Sequence, residues 1–425
     1  MMDRTIAPEI KPIDEITFLH PEKETVNGMH FYFMSGLDVD VLKIEMVVKG
    51  GSVWQQRVLQ ASFTNKMLKK GTISYDAQKL ALKIDYSGSF IETSTDKDKA
   101  NITLYTTHEA LNEMLPVLIE MYATSVFPPE ELKKLQAIEK NNYLVNQEKV
   151  AYLASKHFQK ALFQNHPYGR LAEEQDFDTI TVKDLKDFYE TYYLNENINV
   201  YVSGMITDKV KEKILNSFSV LELPSFDAYP EIKRIDKSNK EVLKIGKPDA
   251  LQAAIRMGKI LPGRTHEDYV NLQFFSMVLG GYFGSRLMKN IREEKGFTYG
   301  IYSSYQNNLF ASFMVIGTEV KNDVLPQALE EIYKEINRLT AEEIPDEELQ
   351  KVKTYILGKF LKSCDGAFEQ MENFKLLNEN NLPENFFQEY INKINRITAK
   401  DILETAGKYF SSKEDWVEVT VANFK

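Results

Sequence analysis

The sequence has little of several features that define common classes of protein. Cys364 is the only cysteine in 425 residues, so an intrachain disulfide and a cysteine-ligated zinc site are both excluded. No run of about eighteen apolar residues occurs, so no segment is predicted to span a bilayer. Residues 1–16 lack the apolar core of a signal peptide. We therefore expect a cytoplasmic protein, or a periplasmic one if a signal peptide was removed.

Histidine is also scarce, and acidic residues outnumber basic ones, 62 to 52. The six histidines never lie within five residues of one another, so no close pair of imidazoles suggests a helical zinc motif. The net charge of −10 argues against nucleic-acid binding and against docking on anionic lipid. No phosphate-binding loop and no nucleophile with an adjacent base stand out, so an enzyme with unrelated chemistry has no support.

What the chain does contain is an internal repeat. The hexapeptide that begins at Ile180 (ITVKDL) returns at Ile397 (ITAKDI), and the Glu-Glu-Leu segment at Glu130 returns at Glu347, both 217 residues later. Two separate segments with one offset indicate a duplication. We predict an α+β fold of two tandem homologous domains, each an antiparallel sheet covered by helices on one face.

The predicted boundaries follow from composition. Residues 224–240 carry two prolines and many charges without a clear period, which is typical of a linker. The N-terminal domain would span 1–223 and the C-terminal domain 241–425. Within the first domain, alternation from Val41 to Lys49 predicts a half-buried strand, with Lys43 and Glu45 on the exposed side.

One stretch of the second domain, 278–305, contains several local signals that predict a turn, a helix and a strand in succession. It opens with Gly280 and Gly281 and continues as a predicted helix from about Phe283 to Glu294. Phe283, Leu287 and Ile291 recur every four residues, which places them on one face of this helix. Gly296 marks the helix end, so Arg292 falls in the last turn and Tyr299 in the following strand.

This stretch resembles the C-terminal half of the pitrilysin/insulinase family of zinc peptidases. The matching residues are Gly280, Gly281, Ser285, Arg286, Leu287, Arg292, Gly296 and Tyr299. The resemblance implies that Arg292 and Tyr299 bind a peptide held at the zinc site of another half or subunit. Gly280 and Gly281 would let that peptide approach closely or let the loop move. The alternative from the residues alone is structural. Tyr299 shares a strand face with Phe297 and Ile301 and could be core, Arg292 could complement the helix dipole, and Gly280-Gly281 could be only a turn.

The zinc motif of the family is absent. Active members carry His-x-x-Glu-His on a helix, and the matching positions here are Ser62, Asn65 and Lys66. The third ligand position falls at Tyr143, with Glu139 one helical turn earlier. A lysine ammonium has no lone pair for a metal, and asparagine cannot take a proton from water. We therefore expect no cofactor in this chain and zinc only in a partner subunit.

The resemblance thus predicts a non-catalytic, substrate-binding subunit of a heteromeric zinc-peptidase-like complex. Its partner would be a zinc-bearing subunit of the family, and its substrate an unfolded peptide or small protein. On its own the chain would not be an enzyme. The alternative is a peptide-binding or scaffold protein with no proteolytic role, similar to family members that became core subunits of a respiratory complex.

Overall fold

The structure is a computed structural model that describes residues 13, 16–36, 39–194, 198–223 and 228–424. Its N-terminal half is built on one sheet, whose strands run in the spatial order β1-β2-β6-β3-β5-β4. Neighbouring strands are antiparallel except β2 and β6, which are parallel. The strands are β1 (Glu22–Val26), β2 (Met29–Ser35), β3 (Leu42–Val48), β4 (Phe90–Thr95), β5 (Ala100–Thr106) and β6 (Ile198–Gly204).

The C-terminal half repeats this arrangement. Its sheet has the order β7-β11-β8-β10-β9, and here β7 and β11 form the parallel pair. Apart from β1, the two sheets therefore share the same strand order and the same directions. The second set of strands is β7 (Glu241–Gly246), β8 (Gln252–Leu261), β9 (Thr298–Asn307), β10 (Ser312–Lys321) and β11 (Val417–Ala422).

The predicted α+β class with two similar halves is confirmed, although each sheet is mixed. The parallel pair arises because the last strand of each half returns to the middle of its sheet after a long helical excursion. Parallel neighbours require such a crossover, whereas antiparallel ones need only a short turn. The alternation of apolar and polar residues within one strand does not indicate which strand it pairs with, so it could not predict the parallel pairs.

Helices make up most of the remaining described chain. Within the described ranges, none of them is both long and apolar enough to cross a membrane. Those of the first half are α1 (Gln60–Met67), α2 (Ala77–Tyr86), α3 (His108–Ala123), α4 (Pro129–Gln147), α5 (Val150–Phe163), α6 (Glu174–Thr179), α7 (Val182–Tyr192) and α8 (Asp208–Ser219). Those of the second half are α9 (Tyr269–Ser276), α10 (Leu325–Ala341), α11 (Asp346–Lys362), α12 (Ala367–Glu379), α13 (Phe386–Arg396) and α14 (Ala399–Phe410).

The repeated Ile-Thr-x-Lys-Asp motif has a local structural cause. In α7 the Thr181 hydroxyl accepts from the Asp184 backbone N–H, while the Asp184 carboxylate accepts from the Thr181 N–H. Thr398 and Asp401 form the same pair at the start of α14. Such a capping box satisfies two N–H groups that have no partner within the helix. The duplicated sequence therefore encodes the same helix start twice.

Each sheet is covered on its second face by a helix from the other half. Helix α12 lies on β2 and β6 of the first sheet, where Ala367 and Met371 pack against Tyr32 and Tyr201. In the opposite direction, α5 lies on β8 and β11, with Ala154 against the second sheet. The two halves therefore exchange one helix each and share their cores.

This exchange overturns the prediction that β3 is half-buried. All seven residues of β3 are buried, including Lys43 and Glu45 on the side expected to face solvent. The Lys375 ammonium of α12 lies 2.7 and 2.8 Å from the two Glu45 carboxylate oxygens, and Glu372 accepts from Lys43 at 2.5 Å. Lys43 and Glu45, which were predicted to face solvent, are instead paired with charged residues of the other half.

The predicted linker falls partly outside the described residues, which exclude 224–227. Residues 228–240 contain neither helix nor strand. They contact the first half, where the Tyr229 ring centroid lies 4.6 Å from that of Trp54, and then the second half. There the Ile235 N–H donates to the Phe310 carbonyl at 2.8 Å, and the Ser238 hydroxyl donates to the Asp415 carbonyl at 2.5 Å. The domain boundaries at 223 and 241 stay a prediction.

Candidate functional site

The segment that carries Arg292 is π-helical, and so is the one before it. Residues Met277–Gly281 and Met288–Glu294 both form π-helices, which close i→i+5 hydrogen bonds and occur often at functional sites. The helix that contains the second segment begins at Arg286, which anchors it to α11 by two hydrogen bonds to the Glu348 carboxylate, at 2.9 and 3.1 Å. Gly296 adopts a positive φ of 64°, as expected for a residue that ends a helix.

The predicted start of this helix at about Phe283 is wrong. Leu287 and Ile291 are fully buried, but Phe283 is 63% exposed. The helix begins at Arg286 rather than at Phe283, because residues 282–285 form a turn after the glycines. A four-residue spacing predicts a common face only within continuous helix.

Gly280 is required by packing between the first π-helical segment and β9. A Cβ atom at Gly280 would lie 2.5 Å from the backbone nitrogen of Ser303. At Gly281 the nearest atom would be the side-chain sulfur of Met277, at 2.8 Å. Gly280 is also buried, so its backbone faces β9 in this structure. The close approach fixes the segment that precedes Arg292 against the strand that carries Tyr299.

We expect Gly280→Ala to lower the free energy of unfolding by about 1–3 kcal/mol, because the added methyl group overlaps backbone atoms that cannot move aside. Gly281→Ala is the matched control, since its closest neighbour is the flexible Met277 side chain and the nearest backbone atom, the Ser276 carbonyl oxygen, would lie 3.2 Å away. Urea unfolding of both variants measures the difference. Equal midpoints for the two variants would show that the close approach is not required.

Tyr299 lies at a β-bulge. Thr298 pairs with Val320 and Ile301 pairs with Thr318, so Tyr299 and Gly300 together face the single residue Glu319. A bulge of this kind re-aims side chains and often occurs next to functional sites. Here it leaves Tyr299 96% exposed, whereas Ile301 is buried. The alternative that Tyr299 belongs to the core is therefore wrong.

Arg292 holds this bulge from the helical side. Its Nε donates to the backbone carbonyl of Tyr299 at 3.0 Å. Its guanidinium lies over the ring of Phe283, 4.6 Å from the centroid, and its Nη1 lies 4.0 Å from the Glu293 carboxylate. The structure thus brings Arg292 and Tyr299 together and adds the exposed ring of Phe283, which the sequence had placed on one helical face with Leu287 and Ile291. The three side chains present a cation, a phenol and an aromatic ring at one place on the surface.

The positions matched to the zinc motif are occupied by other interactions. The Lys66 ammonium lies 2.7 Å from the Glu139 carboxylate, so an ion pair joins α1 to α4. The buried Asn65 amide donates to the backbone carbonyls of Ser94 and Asn101. The Ser62 hydroxyl donates to the Leu59 carbonyl of its own helix. A cation at Lys66 that already neutralises the nearest carboxylate does not fit a zinc ion.

Tyr143, at the position matched to the third zinc ligand, also makes other interactions. The Tyr143 hydroxyl lies 3.1 Å from Glu173 and accepts from Lys156 at 2.8 Å. Lys156 and Lys160 both donate to the Glu173 carboxylate at 2.6 Å. Burial alone would raise the pKa of Glu173, but these hydrogen bonds outweigh it and lower the pKa to about 2. Throughout the described ranges, no three or more histidine, cysteine, aspartate or glutamate side chains are arranged to hold a metal ion.

Comparison with protein families agrees with this architecture. Residues 39–175 match the family described as insulinase (peptidase family M16), and residues 179–356 match the peptidase M16 inactive domain. The chain belongs to peptidase family M16, the insulinase family. The resemblance drawn from the 278–305 stretch is thereby confirmed.

Individual relatives include inactive members. A protein of Rickettsia felis called an uncharacterized zinc protease is 24% identical over 88% of this chain and 91% of its own length. A Helicobacter pylori protein called the non-peptidase homolog YmxG is 24% identical over 83% of this chain and 82% of its own. The crystal structure of a peptidase M16 inactive domain from Pseudomonas fluorescens superposes with a TM-score of 0.86, at 20% identity, over 96% of this chain and 99% of that one. This chain is thus a homologue of inactive M16 proteins.

Proposed function

We propose that this chain is the non-catalytic, substrate-binding subunit of a heteromeric M16 peptidase. Its partner would be a zinc-bearing subunit of the family, and Arg292 and Tyr299 would act on a peptide held at that partner's zinc. The substrate would be an unfolded peptide or a small protein. Zinc would belong to the partner alone, because Lys66 and Glu139 already pair where a metal would lie.

The exposure of Tyr299 carries the proposal. A tyrosine on an edge strand gains nothing for folding when its side chain is 96% exposed, and the bulge that exposes it is held by Arg292. The phenol can therefore donate to a carbonyl oxygen, or to the oxyanion formed from it, on a molecule outside this chain. The Arg292 guanidinium can supply charge-assisted hydrogen bonds to the same group.

A purely structural role for Arg292, as a cation at a helix end, does not explain the contacts of its side chain. Arg292 does lie near a helix end, where a cation is favourable. Its Nε is nevertheless directed at the Tyr299 carbonyl, and its guanidinium is stacked on Phe283. Those two contacts orient the side chain toward the bulge, which a role in complementing the dipole does not require.

The test is the peptidase activity of a zinc-bearing M16 subunit from the same organism, measured with and without this chain. We expect activity only, or mostly, when both chains are present, together with formation of a 1:1 complex. A zinc-bearing subunit that is fully active alone would contradict the proposal. A stable complex whose activity does not depend on this chain would favour a scaffold instead.

A further inference from the structure

The segment that precedes β1 lies on the second half of the molecule rather than on the first. Its described part, Ile13 and residues 16–20, contains neither helix nor strand. Ile13 and Ile16 pack against the hydrophobic core of the second half. This N-terminal segment therefore contacts helices that lie more than 300 residues further along the chain.

An aromatic groove on the second half receives the N-terminal segment. The groove is formed by Phe360 of α11, Gln370 of α12, and Phe387 and Asn395 of α13. The Phe18 ring centroid lies 6.2 Å from that of Phe360 and 5.6 Å from that of Phe387, on which the ring is stacked. Aromatic rings at these distances attract one another beyond the area that they bury. The groove therefore favours an aromatic side chain at this place.

Two amide side chains of the aromatic groove bind the backbone of the segment. Gln370 Oε1 accepts from the Leu19 N–H at 2.6 Å, and Asn395 Nδ2 donates to the Ile13 carbonyl at 3.0 Å. Backbone N–H and carbonyl groups are present in almost every peptide. In peptide-binding sites, bonds to the main chain provide affinity and pockets for side chains provide specificity. The groove therefore has both features of a site for an extended peptide.

The N-terminal segment fills the groove incompletely. None of residues 16–20 is buried, and Leu19 is 37% exposed. A cavity of about 330 Å³ lies directly beside the segment and is lined in part by Phe18, Leu19, Phe374 and Phe387. Half-buried side chains gain only part of the free energy of burial, and segments with few buried contacts detach at low cost. The segment can therefore leave the groove while the rest of the fold stays intact.

We propose that the aromatic groove binds an extended peptide segment with an aromatic side chain, and that the N-terminal segment occupies the groove until such a peptide replaces it. The backbone of the incoming peptide would make the same two hydrogen bonds to Gln370 and Asn395. Its ring would lie against Phe360 and Phe387, where Phe18 lies now. The N-terminal segment identifies this ligand chemistry, because it already binds in that way.

The aromatic groove lies on the helix that also anchors the segment of Arg292. Glu348, which binds Arg286, is in the first turn of α11, and Phe360 is in its last turn. Twelve helical residues separate these two positions by about 18 Å, a distance that about six extended residues span. A role of the groove in holding the substrate of the Arg292–Tyr299 site rests on the proposed function. Binding of a peptide to the groove does not.

The test measures binding of a labelled peptide, with the sequence of residues 12–21, to the full chain without a partner. Fluorescence anisotropy gives the dissociation constant. The doubly substituted chain Ile16→Ser, Phe18→Ser has a vacated groove, and we expect a dissociation constant on the order of 0.1 mM. In the natural protein the tethered segment competes at an effective concentration of about 1 mM, so binding should be about tenfold weaker.

A changed peptide and two further variants sharpen the result. The peptide with alanine in place of its phenylalanine should bind the doubly substituted chain at least about tenfold more weakly, because it lacks the ring. Adding Gln370→Leu to that chain should weaken binding about fivefold, because the peptide N–H loses its acceptor. Phe424→Ser is the matched control, because Phe424 is also a partly exposed phenylalanine outside helices and strands. It should bind the peptide as the natural protein does.

Hydrogen exchange in the natural protein provides a second measurement that needs no substitution. Unlabelled peptide at about 1 mM should speed exchange of the Leu19 amide by about fivefold, because it displaces the segment from Gln370. Unchanged exchange would show that the segment is a fixed part of the fold, and this would overturn the proposal.

Other outcomes would also overturn it. These are no saturable binding by the doubly substituted chain up to about 2 mM, equal binding by that chain and Phe424→Ser, or no preference for the peptide that contains phenylalanine. A dimer of the natural protein that the double substitution dissociates, without peptide binding, would assign the groove to the segment of a second copy. Peptidase assays do not enter this test, so it fails or succeeds independently of the proposed subunit role.

Discussion

Replacing Tyr299 with phenylalanine is expected to lower the peptidase activity of the assembled pair by about 10²–10³-fold, the usual effect of removing one oxyanion donor. Folding and assembly should be unchanged, because the side chain is almost fully exposed and its hydroxyl contacts nothing in the core. Only the hydroxyl is removed, so the exposed ring that a peptide would contact remains. The measurement is the rate of peptide cleavage at saturating partner.

The matched control is Tyr302→Phe. Tyr302 lies on the same strand and is also exposed, and the Arg256 guanidinium lies over its ring, 5.9 Å from the centroid. Its loss of a hydroxyl should leave the rate within about twofold of that of the natural protein. Equal rates for the two variants would remove Tyr299 from the substrate site.

Arg292→Ala should reduce the rate as strongly and for two reasons. It removes the cation, and it removes the hydrogen bond to the Tyr299 carbonyl at the bulge together with the contact to the Phe283 ring. Arg292→Lys keeps the charge but cannot donate from an Nε to the carbonyl while stacking as a plane on the ring. Partial activity in the lysine variant would show how much of the effect comes from the charge and how much from the hydrogen bond that positions Tyr299. If either variant prevented pairing instead, Arg292 would have a structural role.

Lys375→Met is expected to destabilise the fold by about 3–5 kcal/mol, because it leaves the buried Glu45 carboxylate without its main partner. Lys375 is 7% exposed and Glu45 is 4% exposed, and the pair joins α12 to the sheet of the other half. Lys43 still contacts Glu45 at 3.2 Å but is shared with Glu372. Urea unfolding should give a single transition at a lower midpoint, since both halves lose the shared helix together.

Lys183→Met is the control for this effect. Lys183 pairs with Asp187 one turn along α7, where its side chain is 80% exposed, and exposed pairs of this kind contribute about 0–1 kcal/mol. A second variant, Lys375→Met with Glu45→Gln, should recover part of the loss because no uncompensated buried charge remains. Equal destabilisation by Lys375→Met and Lys183→Met would show that the junction is not held by these charges.

The sequence predicted those features that depend on local patterns. Thr181 and Thr398 begin equivalent helices because a capping box needs only four consecutive residues, and the shared 217-residue offset therefore revealed the duplication. Gly296 was identified as a helix end for the same reason. Glycine tolerates the positive φ at that position wherever the helix lies in the fold.

Other features depend on which distant segments meet. The burial of Glu45 follows from α12, more than 300 residues away, so alternation along β3 could not show it. Phe283 was misplaced because the helix begins after a turn, and the exposure of Tyr299 follows from a bulge that only the pairing with β10 defines.

The central claim is that this chain contributes substrate contacts and its partner contributes the metal. Elemental analysis of zinc, after mild dialysis of the purified chain and of its complex with a zinc-bearing subunit, tests it most directly. The account predicts essentially no zinc in the chain alone and one zinc per pair in the complex. About one zinc per chain in the isolated protein would contradict it, because a metal would then have to be held by residues other than Ser62, Asn65, Lys66 and Tyr143.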